Sequence, residues 1–313
     1  MIINGEPIGK GEEKVIDVGI AKLPSRSSVD ISIVVSRGIK DGPVLLLMGG
    51  MHGDEINGVE IVKRVISQKI HQVEKGTVIC IPLLNIYGFI NFTREVPDGK
   101  DINRSFPGNQ NGSLAARMAY YLMNDIIPKI DCGIDFHTGG AFRSNYPQIR
   151  CHSKGGGNNI LADKFNAPFT VHSTYRPKSM RHSAANLGKE ILVYEGGETL
   201  RFDELAIQQA IDGTQRVMKY LGMTKFAPDA RHTNRIIVGS SWIRAKYSGI
   251  HNSFVPYGEN VKKGMVVGEI SNTLGQRIHT IKSPTDGYVI GLNNSPVVHQ
   301  GDALFHIGKT TER

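Results

Sequence analysis

Residues 43–66 read PVLLLMGGMHGDEINGVEIVKRVI. An apolar run of Val and Leu ends in a glycine pair. His52 and Glu55 follow, three residues apart, and a helical pattern begins directly after them. Val59, Val62, Ile66 and Ile70 recur at helical spacing over 58–70, whereas 43–50 is apolar without alternation. Such a run reads as a strand buried on both faces, the condition of strands in α/β sheets covered by helices. His52 and Glu55 then lie just past the carboxyl end of that strand, where open α/β sheets place their ligands.

The same punctuation recurs outward from this unit. Residues 29–38, 76–85, 132–140 and 190–197 are short runs rich in Val, Ile and Leu, bounded by Gly, Pro or Asp. Helical patterns occupy 113–127, with Ser113 placed to cap, and 203–222, with Asp203 as N-cap and Gly222 as stop. The alternation predicts an α/β fold: a mixed, largely parallel sheet with helices on both faces. From His232 to Gly308 no helical period is found, only short β-like runs between glycines. Segments 257–270 and 299–308 resemble each other there. The expected organisation is therefore a domain over 1–228 and a small all-β module over 229–313. That module resembles the lipoyl/biotinyl barrel-sandwich. The turn at 272–277, NTLGQR, lacks the lysine a carrier of that kind modifies, so a structural or site-capping role is expected.

Bulk properties narrow the function classes. The 313 residues suffice for a large core, and 40% hydrophobic with 21% charged residues describes a globular chain rather than a disordered one. The N-terminus is polar, without an apolar signal region, and no apolar run approaches the ~18–20 residues of a membrane span. Cys80, Cys132 and Cys151 are odd in number and irregularly spaced, which suits a reducing cytoplasm and no disulfide framework. The net charge is +8, but Lys and Arg are scattered without interleaved aromatics. That excess fits attraction of small anions better than a nucleic-acid groove. Neither nucleic acid nor membrane is an expected partner, and a homo-oligomer is a mild expectation.

The residues able to do chemistry cluster at predicted strand ends. One imidazole and one carboxylate from a single turn supply two ligands of a cation such as zinc, whose catalytic sites take three protein ligands and keep one position open. Alone, this pattern is more commonly that of a helix-capping glutamate beside a surface histidine. DFHTGG (135–140) repeats the arrangement with His137 and completes a His₂Glu set, although the chain has eleven histidines and His152, His172 and His182 compete. The polar run 93–108, TREVPDGKDINRSFPG, reads as a surface loop. It offers Arg94 and Arg104 for gripping a carboxylate and Asn103 as a neutral donor. Its Asp101 is placed to orient a metal-bound imidazole. Finally ILVYEGGE (191–198) ends a strand in Glu195, a candidate general base, with Glu198 as the more exposed alternative. The glycines of 49–58 do not form a phosphate loop, for no G-K-[ST] follows them.

HGDE, DINRSFPG, DFHTGG and a strand-end glutamate, in that order, resemble the succinylglutamate desuccinylase/aspartoacylase family, relatives of the zinc carboxypeptidases. The resemblance covers roughly 40–225, and the trailing β-module resembles the C-terminal domain of many members. It implies one zinc ion held by His52, Glu55 and His137, with Asp101 supporting a zinc-bound histidine. It further implies a substrate carboxylate gripped by Asn103 and Arg104, an oxyanion met by Arg94, and Glu195 as general base and acid. The implied activity is hydrolysis of the amide of a small, anionic N-acylated amino acid. A carboxypeptidase acting on short peptides and a metal-binding protein without activity are the competing readings.

Overall fold

Alternation within the predicted strands decides what covers each face. The computed structural model describes residues 1–152, 159–230, 232–276 and 279–310. Its longer strands are β1 (Glu13–Lys22), β2 (Ser28–Arg37), β3 (Lys40–Met48), β4 (Lys75–Ile81), β5 (Cys132–Gly139), β6 (Arg143–Cys151), β7 (Phe169–His172) and β8 (Glu190–Glu198). They are followed by β9 (Arg235–Arg244), β10 (Gly249–Ser253), β11 (Val266–Ser271), β12 (His279–Lys282), β13 (Gly287–Asn293) and β14 (Ala303–Thr310). The helices are α1 (Ile56–Ser67), α2 (Ile86–Asn91), α3 (Leu114–Tyr121), α4 (Ile160–Phe165), α5 (Met180–Asn186) and α6 (Glu204–Tyr220). Leu46 and Met48 of β3 pack with Ala115 and Met118 of α3 and with Met180 and Ala184 of α5. Leu45 and Leu47 face the other way, against Ile61, Val62 and Val65 of α1 and Ile207 and Ile211 of α6. Neighbouring residues of one strand thus serve opposite cores, which is why the run is apolar throughout.

The large sheet runs β13–β14–β9–β7–β6–β8–β5–β3–β4–β2–β1, with Asn260–Val261 added at the first edge. Parallel pairing joins β4, β3, β5 and β8 at its centre. The sheet is mixed, as expected, but antiparallel pairs take more of its flanks than the sequence indicated. The short link from β1 to β2 permits only a hairpin, and β6 returns antiparallel beside β8.

Local signals hold where the chemistry is strong. Ser113 accepts from the Ala116 amide at 3.4 Å and Asp203 from the Ala206 amide at 3.0 Å, as N-caps should. The buried face of α1 is centred on Ile61, Val62 and Val65; of the expected stripe Val62 is fully buried and Ile66 and Ile70 pack at the margin of the same core, while Gly58 sets the helix down on the Phe136 backbone. The third predicted helix ends as α6 at Tyr220, and the second gives way to a π turn and a 3₁₀ turn after Tyr121.

From His232 onward the described residues are β and irregular structure. Strands β12, β11 and β10 with Val297–Val298 form a four-stranded sheet, while β9, β13 and β14 continue the large one. Residues 257–270 and 299–308 end in β11 and β14. The turn at 272–277 is built on Asn272, whose side chain accepts from the Leu274 and Gln276 amides; Arg277 lies outside the described residues.

Candidate metal centre and active site

Strand β3 ends at Met48, and Gly50 takes a positive φ of 58° to bring the chain over its end. Gly53 is required for a different reason: a Cβ there would overlap the Gly88 backbone. This turn buries His52 and Glu55, each 2% exposed, and β5 delivers His137, 4% exposed, from the adjacent strand end. Ligand atoms of the three residues lie within 4.8 Å of one another. His52 Nδ1 and His137 Nδ1 are 3.2 Å apart, and each is 2.7 Å from a Glu55 carboxylate oxygen. Glu55 occupies the N-cap position of α1 yet makes no capping hydrogen bond there. Instead its carboxylate faces the imidazoles and accepts from the Thr138 amide at 3.1 Å. The capping alternative is therefore not what the fold uses.

Both imidazoles are fixed from behind. His52 Nε2 lies 3.2 Å from Asp101, and His137 Nε2 lies 2.7 Å from Asp135. Asp135 was not singled out in the sequence, although its position two residues before His137 puts it on the same strand face. In the tautomer that directs each Nε2 proton at its carboxylate, the two Nδ1 atoms face each other and Glu55 with lone pairs free for a cation. Two tetrahedral ligands at about 2.0–2.1 Å from a zinc ion sit about 3.3 Å apart, close to the spacing found. Charge agrees with this. If the imidazoles are neutral, as ligands must be, the carboxylates of Glu55, Asp101 and Asp135 outnumber the Arg94 guanidinium by two charges. The donor set and its surroundings fit a divalent cation. Burial opposes charge on Glu55, His52 and His137. The neighbouring opposite charges outweigh it, holding the Glu55 carboxyl well below its ordinary range and both imidazoles above theirs. For Asp101, burial is likewise overcome by His52 and then by Arg94.

The run 93–108 forms no strand or α-helix; one 3₁₀ turn spans Ile102–Arg104. It is better anchored than a solvated loop, because Val96, Ile102 and Phe106 are buried. Arg94 reaches into the centre, 3.1 Å from Glu55 and 3.0 Å from Asp101. Asn103 accepts from the Met180 amide at 2.9 Å, which leaves its side-chain amide hydrogens unused in that contact. Arg104 donates to the Asn103 carbonyl at 2.6 Å. Arg94 and Arg176 are close enough to disfavour its charge electrostatically, after burial itself. A concentration of guanidinium groups beside the centre is the arrangement that takes an anionic ligand.

Glu195 of β8 is in register with His137 of β5. Its carboxylate accepts from Asn145 Nδ2 at 2.8 Å and faces Arg150 at 3.5 Å. The alternative, Glu198, is half-buried rather than exposed, because Asn294 donates to it at 2.8 Å. A bulge between Glu195 and Gly197 separates the two glutamates in the ladder. Asn145 and Arg150 carried no signal, since β6 itself was not recognised. The competing histidines lie elsewhere: His152 and His182 flank Tyr175 at ring separations of 4.3 and 5.7 Å, and His172 ends β7.

Comparison with known proteins places the chain in a family. Residues 41–221 match the family model described as succinylglutamate desuccinylase/aspartoacylase catalytic domain. The chain is 25% identical over 295 residues to an N-alpha-acetyl-L-2,4-diaminobutyric acid deacetylase of Halomonas elongata, covering 89% of this chain and 85% of that one. Its fold is shared with the product-bound ectoine utilization protein EutE (DoeB) of Ruegeria pomeroyi, at a TM-score of 0.83, 21% identity and 97% coverage of both chains. It is shared equally with a succinylglutamate desuccinylase/aspartoacylase of Rhodobacter sphaeroides, at a TM-score of 0.83, 24% identity and 96% coverage of both.

Proposed function

The chain belongs to the succinylglutamate desuccinylase/aspartoacylase family, and from that premise we propose that it is a zinc-dependent amidohydrolase that removes the acyl group of a small N-acylated amino acid. The observation that carries this reading is the buried His52–Glu55–His137 cluster, whose Nδ1 atoms converge while Asp101 and Asp135 hold the opposite ring edges. Those three side chains would hold the zinc ion. When bound there, zinc supplies a Lewis acid for the amide carbonyl and makes the attacking water acidic near neutral pH.

The remaining chemistry belongs to the chain. Arg104 and the side-chain amide of Asn103 bind the substrate carboxylate, in the field of Arg176. This fixes the scissile amide toward the buried cluster and converts binding energy into orientation. Arg94, on the same loop, donates to the carbonyl oxygen as negative charge develops on it. One such donor is worth about 3–4 kcal/mol. Glu195 accepts the proton of the attacking water as the C–O bond forms, then returns it to the nitrogen as the C–N bond breaks. The β-region over 229–313 is read as a structural unit of the barrel-sandwich kind, without a carrier role.

A panel of N-acyl amino acids tests the proposal, with acetylated 2,4-diaminobutyrate and acetylated aspartate among them. Amine release that a chelator abolishes and added zinc restores is expected. Silence of the zinc-loaded protein across the panel would overturn the activity. Release unaffected by chelation would overturn the metal.

A further inference from the structure

Asn145 is only 5% exposed, and its surroundings join two regions of the chain. On one side its amide donates to Glu195 Oε2 at 2.8 Å. On the other, its backbone is in register with Gly291 of β13, and Leu292 and Asn293 pair with Ser144 and Arg143. Strand β6 therefore has a divided edge: β7 pairs with its second half and β13 with its first. Gln148 adds a donor to the Ile290 carbonyl at 2.9 Å, and Asn294 bonds the Ser144 hydroxyl at 2.6 Å. The fit at Gly291 is close. A Cβ there would stand 3.0 Å from Asn145 Oδ1 and 3.3 Å from His306 Cβ. Gly291 carries no positive φ, so contact with Asn145, rather than backbone strain, is what a side chain would disturb.

We propose that Asn145 is a positioning residue for Glu195, and that the C-terminal β-region acts on the reaction through it by fixing Asn145 against Gly291. The inference rests on the reading of Glu195 as general base. A carboxylate with two equivalent oxygens and a rotatable stem has many orientations. One donor on Oε2, with Arg150 at 3.5 Å from Oε1, leaves Oε1 as the oxygen that exchanges the proton. The C-terminal strands supply the rigid wall without which Asn145 itself could rotate. Their contribution is orientation, not contact with substrate.

Asn145→Asp preserves shape but replaces the donor by a charge that repels Glu195. Expected is a kcat about 10- to 100-fold lower, a fraction of the 10²–10⁴-fold that a positioned acid–base group contributes. KM should stay within twofold and zinc content near that of the parent, while the melting temperature falls because the new carboxylate is buried beside another. Gly291→Ala should lower kcat in the same way. Combined with Asn145→Ala, which frees the space, it should add nothing, because its effect runs through that side chain. A crystal structure of zinc-loaded Asn145→Asp should show the Glu195 carboxylate turned from its present orientation. If Glu195→Gln is inactive while Asn145→Asp and Gly291→Ala keep the parent kcat, the inference is overturned and the base assignment survives. If Gly291→Ala lowers kcat equally with and without Asn145→Ala, the route through Asn145 is wrong. Full turnover by Glu195→Gln would instead remove the underlying reading.

Discussion

Glu55 stands where a helix cap would stand, and its carboxylate is turned inward between two imidazoles. That choice costs α1 one capping interaction, about 1 kcal/mol by analogy with other caps, and it places a buried charge that only a cation or protonated partners can balance. The two aspartates behind the histidines complete the arrangement. Asp135 is 1% exposed and holds His137 Nε2 at 2.7 Å. Asp135→Asn keeps the packing but no longer fixes the ring by charge, so zinc affinity should fall about 10- to 100-fold. Competition with a chromophoric chelator measures this, and an unchanged affinity would show that His137 is held by its strand alone. His52→Ala removes one of the three proposed ligands and should leave the purified protein without stoichiometric zinc; full occupancy by metal analysis would contradict the cluster. Glu195→Gln, by contrast, should retain one zinc per chain and lose nearly all turnover, because the role proposed for the group is to move a proton and not to hold the ion.

At the scale of elements, β14 carries a pH-sensitive buried group. His306 is buried, stacked on Trp242 at 4.6 Å, with Nε2 2.9 Å from the Ser240 hydroxyl. Burial, and after it the charge of Arg150, lowers its pKa from 6.5 to about 3. Between these values the unfolded chain binds a proton that the folded chain refuses. Stability from this group is therefore lost as pH falls below 6.5, and the slope ends near the folded value. The loss is at most about 1.4 kcal/mol per pH unit. His306→Gln keeps a donor toward Ser240 and should flatten the decline of the denaturation midpoint between pH 6.5 and 4.5. An identical decline in both proteins would assign the acid sensitivity to other groups. The elements also show what a sequence can carry. Strands β3, β5 and β8 were legible because burial on both faces makes them continuous apolar runs, and α6 because Asp203 and seventeen residues of periodicity mark it. Strand β6 was not, since RSNYPQIRC is polar where it lines the site. Helices α4 and α5 are six and seven residues long, too short to establish a period.

The site was legible to the same extent as its strands. His52, Glu55, His137 and Asp101 lie on recognised segments and meet in space; Asn145 and Arg150 lie on β6 and were missed with it. For the whole molecule the consequence concerns the expected division at residues 228 and 229. Strand β9 pairs in parallel with β7, and β13 pairs with β6, so backbone hydrogen bonds cross the proposed boundary. The side chains follow them. Phe169 and Val171 of β7 share a buried cluster with Ile237 of β9 and Ile290 of β13, and Tyr257 donates to Asp203 at 2.8 Å, beside the α6 cap. Separating the two regions would expose that cluster and the edges of β6 and β7 together. Domains joined by a linker open independently, whereas strands in one sheet lose their partners at once. Denaturant unfolding followed by Trp242 fluorescence, which reports the C-terminal region, and by far-ultraviolet circular dichroism, which reports mainly the helical layers, should therefore give coincident transitions. A chain ending at residue 228 should be insoluble or lack the cooperative transition. Two separated transitions, or a truncated chain that melts cooperatively, would show that 1–228 is stable alone and that the ladder across the boundary adds contact without coupling.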